Sequence, residues 1–168
     1  MNPTLRLSGI IRESIVDGPG LRYTIFAQGC IHHCDGCHNP ATHPFEGGFE
    51  AAPKAILRDI KKNPLIRGVT FSGGEPFCQA EGFLELAGLL KEAGYHIMTY
   101  TGYTYEEIME SGNETWKKLF FLSDFVVDGR FILAQRDLNL KFRGSSNQRI
   151  IDTAATKKAG KVIPARFM

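Results

Sequence analysis

The chain has 168 residues, of which 43% are hydrophobic and 23% charged, with a formal net charge of +2. That is long enough for a sizeable core without staples and has the balance of an ordinary globular protein. The charge is too small to point to nucleic acid or an anionic membrane surface. There is no run of about 18 apolar residues that could cross a bilayer. The opening Met1-Asn2-Pro3-Thr4 lacks the apolar segment of a secretory signal. A cytoplasmic location follows as an expectation, and in that reducing setting clustered cysteines point to metal or redox work rather than disulfides.

No repeat, low-complexity tract or linker divides the sequence, so residues 1–168 are expected to form a single domain. Leu21 to Gln28 is rich in aromatic and β-branched residues and predicts a strand. The irregular stretch from Gly29 to Gly48 carries three cysteines, four histidines and two prolines. Pro53, Ile56, Leu57 and Ile60 fall at helical spacing, with proline in the first turn. Gly68 to Phe71 predicts a short strand. Phe83, Leu86, Ala87 and Leu90 repeat the helical pattern, with Gly94 placed to end it. His96 to Thr101 reads as a strand, and Thr104-Tyr105-Glu106-Glu107 as a capping box opening a helix. Glu114 to Leu122 suggests a further helix, Phe125 to Val127 a strand, and Arg149 to Asp152 the last strand.

Alternation of this kind predicts an α/β fold of parallel strands joined by helical crossovers. A complete barrel needs about 200 residues or more, so a barrel here would have to be partial. The unusual residues follow strands: the cysteines, Ser72-Gly73-Gly74-Glu75, Thr101-Gly102 and Asp128-Gly129-Arg130. Such folds build their sites at that edge.

Cys30-Ile31-His32-His33-Cys34-Asp35-Gly36-Cys37 lets one loop wrap one metal centre. A [4Fe–4S] cluster normally takes four thiolates, so three would leave one iron open to an incoming ligand. Zinc is the alternative, bound by the three cysteines with a nearby histidine or with Cys78. Zinc sites usually pair their ligands in two short turns, however, and no second pair is present. Gly36 is small enough to admit a ligand close to the centre. Cys78 reads as a buried small thiol rather than a ligand, and the loop histidines as residues facing solvent or the surroundings of the centre.

The three-cysteine spacing resembles the radical S-adenosylmethionine (SAM) superfamily. Val16-Asp17-Gly18-Pro19-Gly20-Leu21-Arg22, Gln28-Gly29-Cys30, Cys37-His38-Asn39-Pro40 and Ser72-Gly73-Gly74-Glu75-Pro76 are similar to its glycyl-radical-enzyme activases. Gly36 before the third cysteine, the short chain and Phe142-Arg143-Gly144-Ser145-Ser146-Asn147-Gln148-Arg149 resemble the branch serving anaerobic (class III) ribonucleotide reductase.

The resemblance implies a partial parallel β/α barrel and an oxidoreductase. Such an enzyme cleaves SAM reductively at a [4Fe–4S] cluster and uses the 5′-deoxyadenosyl radical to place a glycyl radical on its partner. It implies Cys30, Cys34 and Cys37 as cluster ligands, and Gly36 and His38 near the adenine. Gly73 and Gly74 would lie against the SAM amino group, with Glu75 either offsetting its charge or capping a helix. Asp128, Gly129 and Arg130 resemble an Asp-x-Lys element, with arginine able to hold the methionine carboxylate, unless Asp128-Gly129 is a plain turn. Asp17 and Arg22 are candidates for contact with the target peptide. Flavodoxin or ferredoxin is the implied electron donor. A formate-lyase-like or other glycyl radical enzyme remains an alternative partner, and a non-catalytic zinc or Fe–S interaction module an alternative class.

Overall fold

The computed structural model describes residues 3–37 and 40–166. One seven-stranded sheet organises them. In chain order the elements are β1 (Leu5–Ser14), β2 (Arg22–Ala27), β3 (Phe49–Ala51), α1 (Pro53–Lys61), β4 (Gly68–Gly73), α2 (Ala80–Glu92) and β5 (His96–Tyr100). They continue with α3 (Tyr105–Glu110), α4 (Glu114–Leu122), β6 (Phe125–Asp128), β7 (Arg149–Asp152) and α5 (Thr153–Ala159). The sheet order is β3-β1-β2-β4-β5-β6-β7.

The parallel alternation holds only in the centre, where β2, β4, β5 and β6 run parallel. Both flanks depart from it. β1 and β3, neither legible beforehand, pair antiparallel on one side, and β7 pairs antiparallel to β6 on the other. The connection across 129–148 explains β7, because it holds only a single 3₁₀ turn, Leu133–Gln135, and no α-helix to carry a parallel crossover. β1 escaped notice because its register shifts between Leu7 and Gly9 and its outer half is largely exposed, so no clean alternation survives.

Period two divides the sheet into two faces. Tyr23, Ile25, Val69, Phe71, Ile97, Val126 and Ile151 point to one side and are essentially buried. There they meet Ile56 and Ile60 of α1, Phe83, Leu86 and Leu90 of α2, and Leu119 and Phe120 of α4. Phe71 and Phe83 lie 4.8 Å apart between ring centroids. Each fully buried side chain of this size contributes about 1.5–3 kcal/mol relative to exposure. The helices start as expected. Pro53 begins α1. Thr104 and Glu107 form the capping box of α3, with both bonds at 3.1 Å. Gly94 follows α2 with a φ of 87°.

The opposite face is polar near its base. Arg22, Thr24 and Thr70 are buried there, with a small apolar group of Met98, Val127 and Ile150 beside them. Helices cover the first face. The second lines a cavity.

Candidate active site

The cysteine loop leaves the end of β2 and is fastened on two sides. Gly29 and Cys30 donate backbone N–H groups to the carbonyls of Thr42 and His43, at 2.6 and 3.0 Å. On the other side, Gly74 and Glu75 donate to Ala27 and Gly29, at 2.9 and 2.8 Å. Gln28 ties down the return of the loop through bonds to the carbonyls of Ala41 (3.2 Å) and Pro44 (2.5 Å). Gln79 holds the Gln28 carbonyl from behind at 3.1 Å.

Within the loop, Cys37 donates its N–H to the Cys34 carbonyl at 3.2 Å, closing a turn through Gly36. Gly36 has a φ of 73°, a left-handed conformation that explains a glycine before the third cysteine. Cys30 is nearly buried, which pushes its thiol pKa up, while backbone hydrogen bonds from His32 and His33 act in the opposite direction. Donors of this kind also tune a cluster's potential.

Cys30, Cys34 and Cys37 all line one cavity of about 630 Å³, together with Gly73, Gly74, Gly129, Arg130 and Asp17. Motifs far apart in the chain therefore converge. Among the described residues, no three His, Cys, Asp or Glu side chains gather closely enough to hold a single ion. Three thiols on one cavity wall are the donor type that an iron–sulfur cubane takes. Cys78 sits outside this wall. It accepts the Ile31 N–H, and burial pushes its thiol up to about 11, with the negative charges of Glu75 and Cys30 adding to the rise.

The glycines of the second motif are demanded by the backbone. A β-carbon on Gly73, whose φ is 94°, would lie 2.4 Å from Ala27 N, and one on Gly74 would lie 2.2 Å from Gly29 O. Their absence lets β4 and the cysteine loop touch directly, which also leaves bare backbone on the cavity wall.

Glu75 takes the second of its two expected roles, and three other sequence expectations land elsewhere. Glu75 is 0% exposed and lies off the cavity wall. Its carboxylate accepts from Phe77 N (3.0 Å), Thr101 Oγ1 (2.9 Å) and Gly102 N (2.7 Å), and meets His32 Nε2 at 2.6 Å. It caps the 3₁₀ turn Pro76–Gln79 and locks the loop to the end of β5. Asp128 is equally hidden. It accepts from Tyr105 N at 2.8 Å and takes a two-pronged bond from Arg149 at 3.0 and 2.5 Å.

Arg22 is 1% exposed, so it is no surface for a peptide. It donates to Thr70 Oγ1 (2.7 Å), Pro19 O (2.8 Å) and Val69 O (3.0 Å), and desolvation lowers its pKa to about 10. A β-carbon on Gly18 or Gly68 would collide with its guanidinium arm, so those glycines make the room it fills. Gly36 packs under Leu133 rather than on the cavity wall. His38 lies outside the described residues.

Arg130 does reach the cavity, but Glu107 holds its guanidinium at 3.2 and 3.3 Å. That bond raises the arginine pKa and lowers the glutamate's. Asp17 also lies on the wall, and its carboxylate accepts from Ser14 (2.5 Å) and Thr24 (3.2 Å).

His32 is a buried anchor of the loop rather than a solvent-facing residue. Its side chain is only 4% exposed, pairs with Glu75 and stands edge-on to Tyr103 at 4.7 Å. The signal for it was Gly102, where a β-carbon would lie 2.5 Å from the His32 ring.

Across residues 16–151 the chain matches the family described as "4Fe-4S single cluster domain". Curated relatives narrow this. The anaerobic ribonucleoside-triphosphate reductase-activating protein of Vibrio cholerae is 35% identical over 142 residues, spanning 80% of this chain and 89% of the relative. The protein of the same name from Escherichia coli K12 is 34% identical, spanning 80% and 90%. The pyruvate formate-lyase-activating enzyme of Clostridium pasteurianum is 40% identical over 114 residues, spanning 62% of this chain and 48% of the relative. The chain therefore belongs to the 4Fe–4S single-cluster family and, within it, to the anaerobic ribonucleoside-triphosphate reductase-activating proteins.

Proposed function

We propose that this protein is a radical SAM activase that generates a glycyl radical on anaerobic ribonucleotide reductase. The observation that carries the reading is the convergence of three loop thiols with the Gly73-Gly74 backbone and the Gly129-Arg130 strand end on one cavity. When bound, the [4Fe–4S] cluster and SAM supply reductive cleavage to methionine and a 5′-deoxyadenosyl radical, with the cluster toward the reducing end of a range of roughly −700 to +450 mV.

Cys30, Cys34 and Cys37 would hold the cluster. The backbone at Gly73 and Gly74 would offer its bare edge to the SAM amino group. Glu75, His32 and Asp128 act at a distance by fixing the loop and the strand ends. Arg22 stiffens the Asp17-Gly18-Pro19-Gly20 turn, leaving Asp17 on the wall for the partner's glycine segment. Exposed Val16 and Leu138 on that wall give the segment an apolar threshold.

Residues 1–168 are read as one radical SAM domain, with the four parallel strands forming the partial barrel around the cavity. Among the described residues no helix is long and apolar enough to cross a membrane. The cytoplasm, with flavodoxin or ferredoxin as electron donor, suits an enzyme that needs a reduced cluster. The match to a formate-lyase activase supports a second reading, in which the partner is another glycyl radical enzyme.

Anaerobic reconstitution tests the proposal. The reduced protein should cleave SAM to methionine and 5′-deoxyadenosine in equal amounts. A glycyl radical should appear by electron paramagnetic resonance on the reductase and not on formate lyase. Cleavage with the radical only on formate lyase would transfer the assignment to the second reading, and absence of cleavage would end both.

A further inference from the structure

Two guanidinium groups and no lysine line the cavity among the described residues, and they are in opposite states. Arg130 is held from outside by Glu107 at 3.2 and 3.3 Å. Arg143 donates one N–H to the Gln148 carbonyl at 3.1 Å, while its Nε is buried with no acceptor among the described residues. A buried charged donor left unpaired is costly, so the site suits an acceptor that the described residues do not supply.

The backbone around Arg143 is fixed. Phe142 is left-handed, with a φ of 57°, and its carbonyl accepts the Tyr100 hydroxyl at 2.7 Å. The Gln148 side chain accepts from Gly144 N and Ser145 N at 2.9 and 3.2 Å, and donates to the Gly129 carbonyl at 3.0 Å. A strained residue held from several sides is a mark of a functional position. The acidic side chains on the wall have donors of their own. Asp17 takes Ser14 and Thr24, and Asp137 takes the Asn139 N–H at 2.9 Å. Neither satisfies Arg143.

We propose that Arg143, rather than Arg130, binds the α-carboxylate of the SAM methionine moiety. This rests on reading the cavity as the SAM site. The chemistry fits: a carboxylate accepts the fork of a guanidinium.

The test is equilibrium dialysis of anaerobically reconstituted protein against SAM and against its decarboxylated analogue, with iron content checked for each variant. R143Q should bind SAM about tenfold or more weakly, the scale of a lost bond to a charged group, while its affinity for the analogue stays that of the wild type. R143K keeps the charge without the fork and should also lose SAM affinity selectively, which retains the test if R143Q fails to hold its cluster. R130Q should lose at least about fivefold less than R143Q, as its arginine is engaged at the surface. Unchanged SAM affinity in the Arg143 variants overturns the proposal. So does equal loss of both ligands, a reversed ranking with R130Q, or an effect confined to the reductase KM. A wild-type protein that binds neither ligand would instead remove the SAM reading beneath it.

Discussion

The two faces of the sheet are built by different physics. The helix-covered face is held by apolar burial, with Phe71, Phe83, Leu86 and Phe120 packed among non-directional contacts. The cavity face is held by directed bonds: Arg22 on Thr70 and two carbonyls, and Ser14 and Thr24 on Asp17. One face tolerates repacking, because any apolar group of similar volume serves. The other holds a reactive centre in place, and each of its polar groups depends on a particular partner.

Breaking the comparison where it is sharpest gives the largest effects. Serine at Cys30, Cys34 or Cys37 should reduce bound iron and SAM cleavage to background while circular dichroism and the urea midpoint stay near those of the apo wild type. Simultaneous unfolding would mean that the cavity face depends on the loop for its stability. On the apolar face, F83A should cost about 3–5 kcal/mol in urea unfolding yet bind iron normally once folded. R22M should cost about 3 kcal/mol, because Thr70 and the carbonyls of Pro19 and Val69 lose their donor. It should also weaken activation through the adjacent Asp17 turn, an effect F83A should not share.

Acid should distinguish the faces as well. Burial, reinforced by the charge of Arg22, holds the His96 pKa below its usual 6.5. The unfolded chain therefore takes up this proton first. Stability from His96 is present above about pH 6.5 and is lost as the pH falls from there through the lowered folded-state value. Substituting H96Q should flatten the slope of unfolding free energy below about pH 6.5. The smallest effect is T104A, which removes the α3 cap at a cost of about 1 kcal/mol.

Much of the apolar face was legible in the sequence, because helical spacing at Pro53–Ile60 and Phe83–Leu90 is set locally by which residues must be buried. The cysteine loop and the strand-end motifs were legible too, since their residue types and spacing are the signal. The polar scaffold was not. Nothing local to Arg22 reveals that Gly18 and Gly68, distant in sequence, leave a slot for it. Glu75 reads equally as a ligand contact or a cap, and Arg130 as a ligand contact, until long-range partners, His32 with Gly102 and Glu107, are seen to claim them. β1 and β3 are not legible, and β7 is legible as a strand but not in its direction, for a related reason. Bulges and a helix-free connection leave no period to detect.

The central claim is that three thiolates of one loop hold a cubane whose remaining iron is free for SAM. Mössbauer spectroscopy of anaerobically reconstituted, ⁵⁷Fe-labelled protein tests it most directly. The account predicts a [4Fe–4S] spectrum in which one iron site alone changes when SAM is added. A spectrum indifferent to SAM, or protein carrying zinc in place of iron, would contradict it.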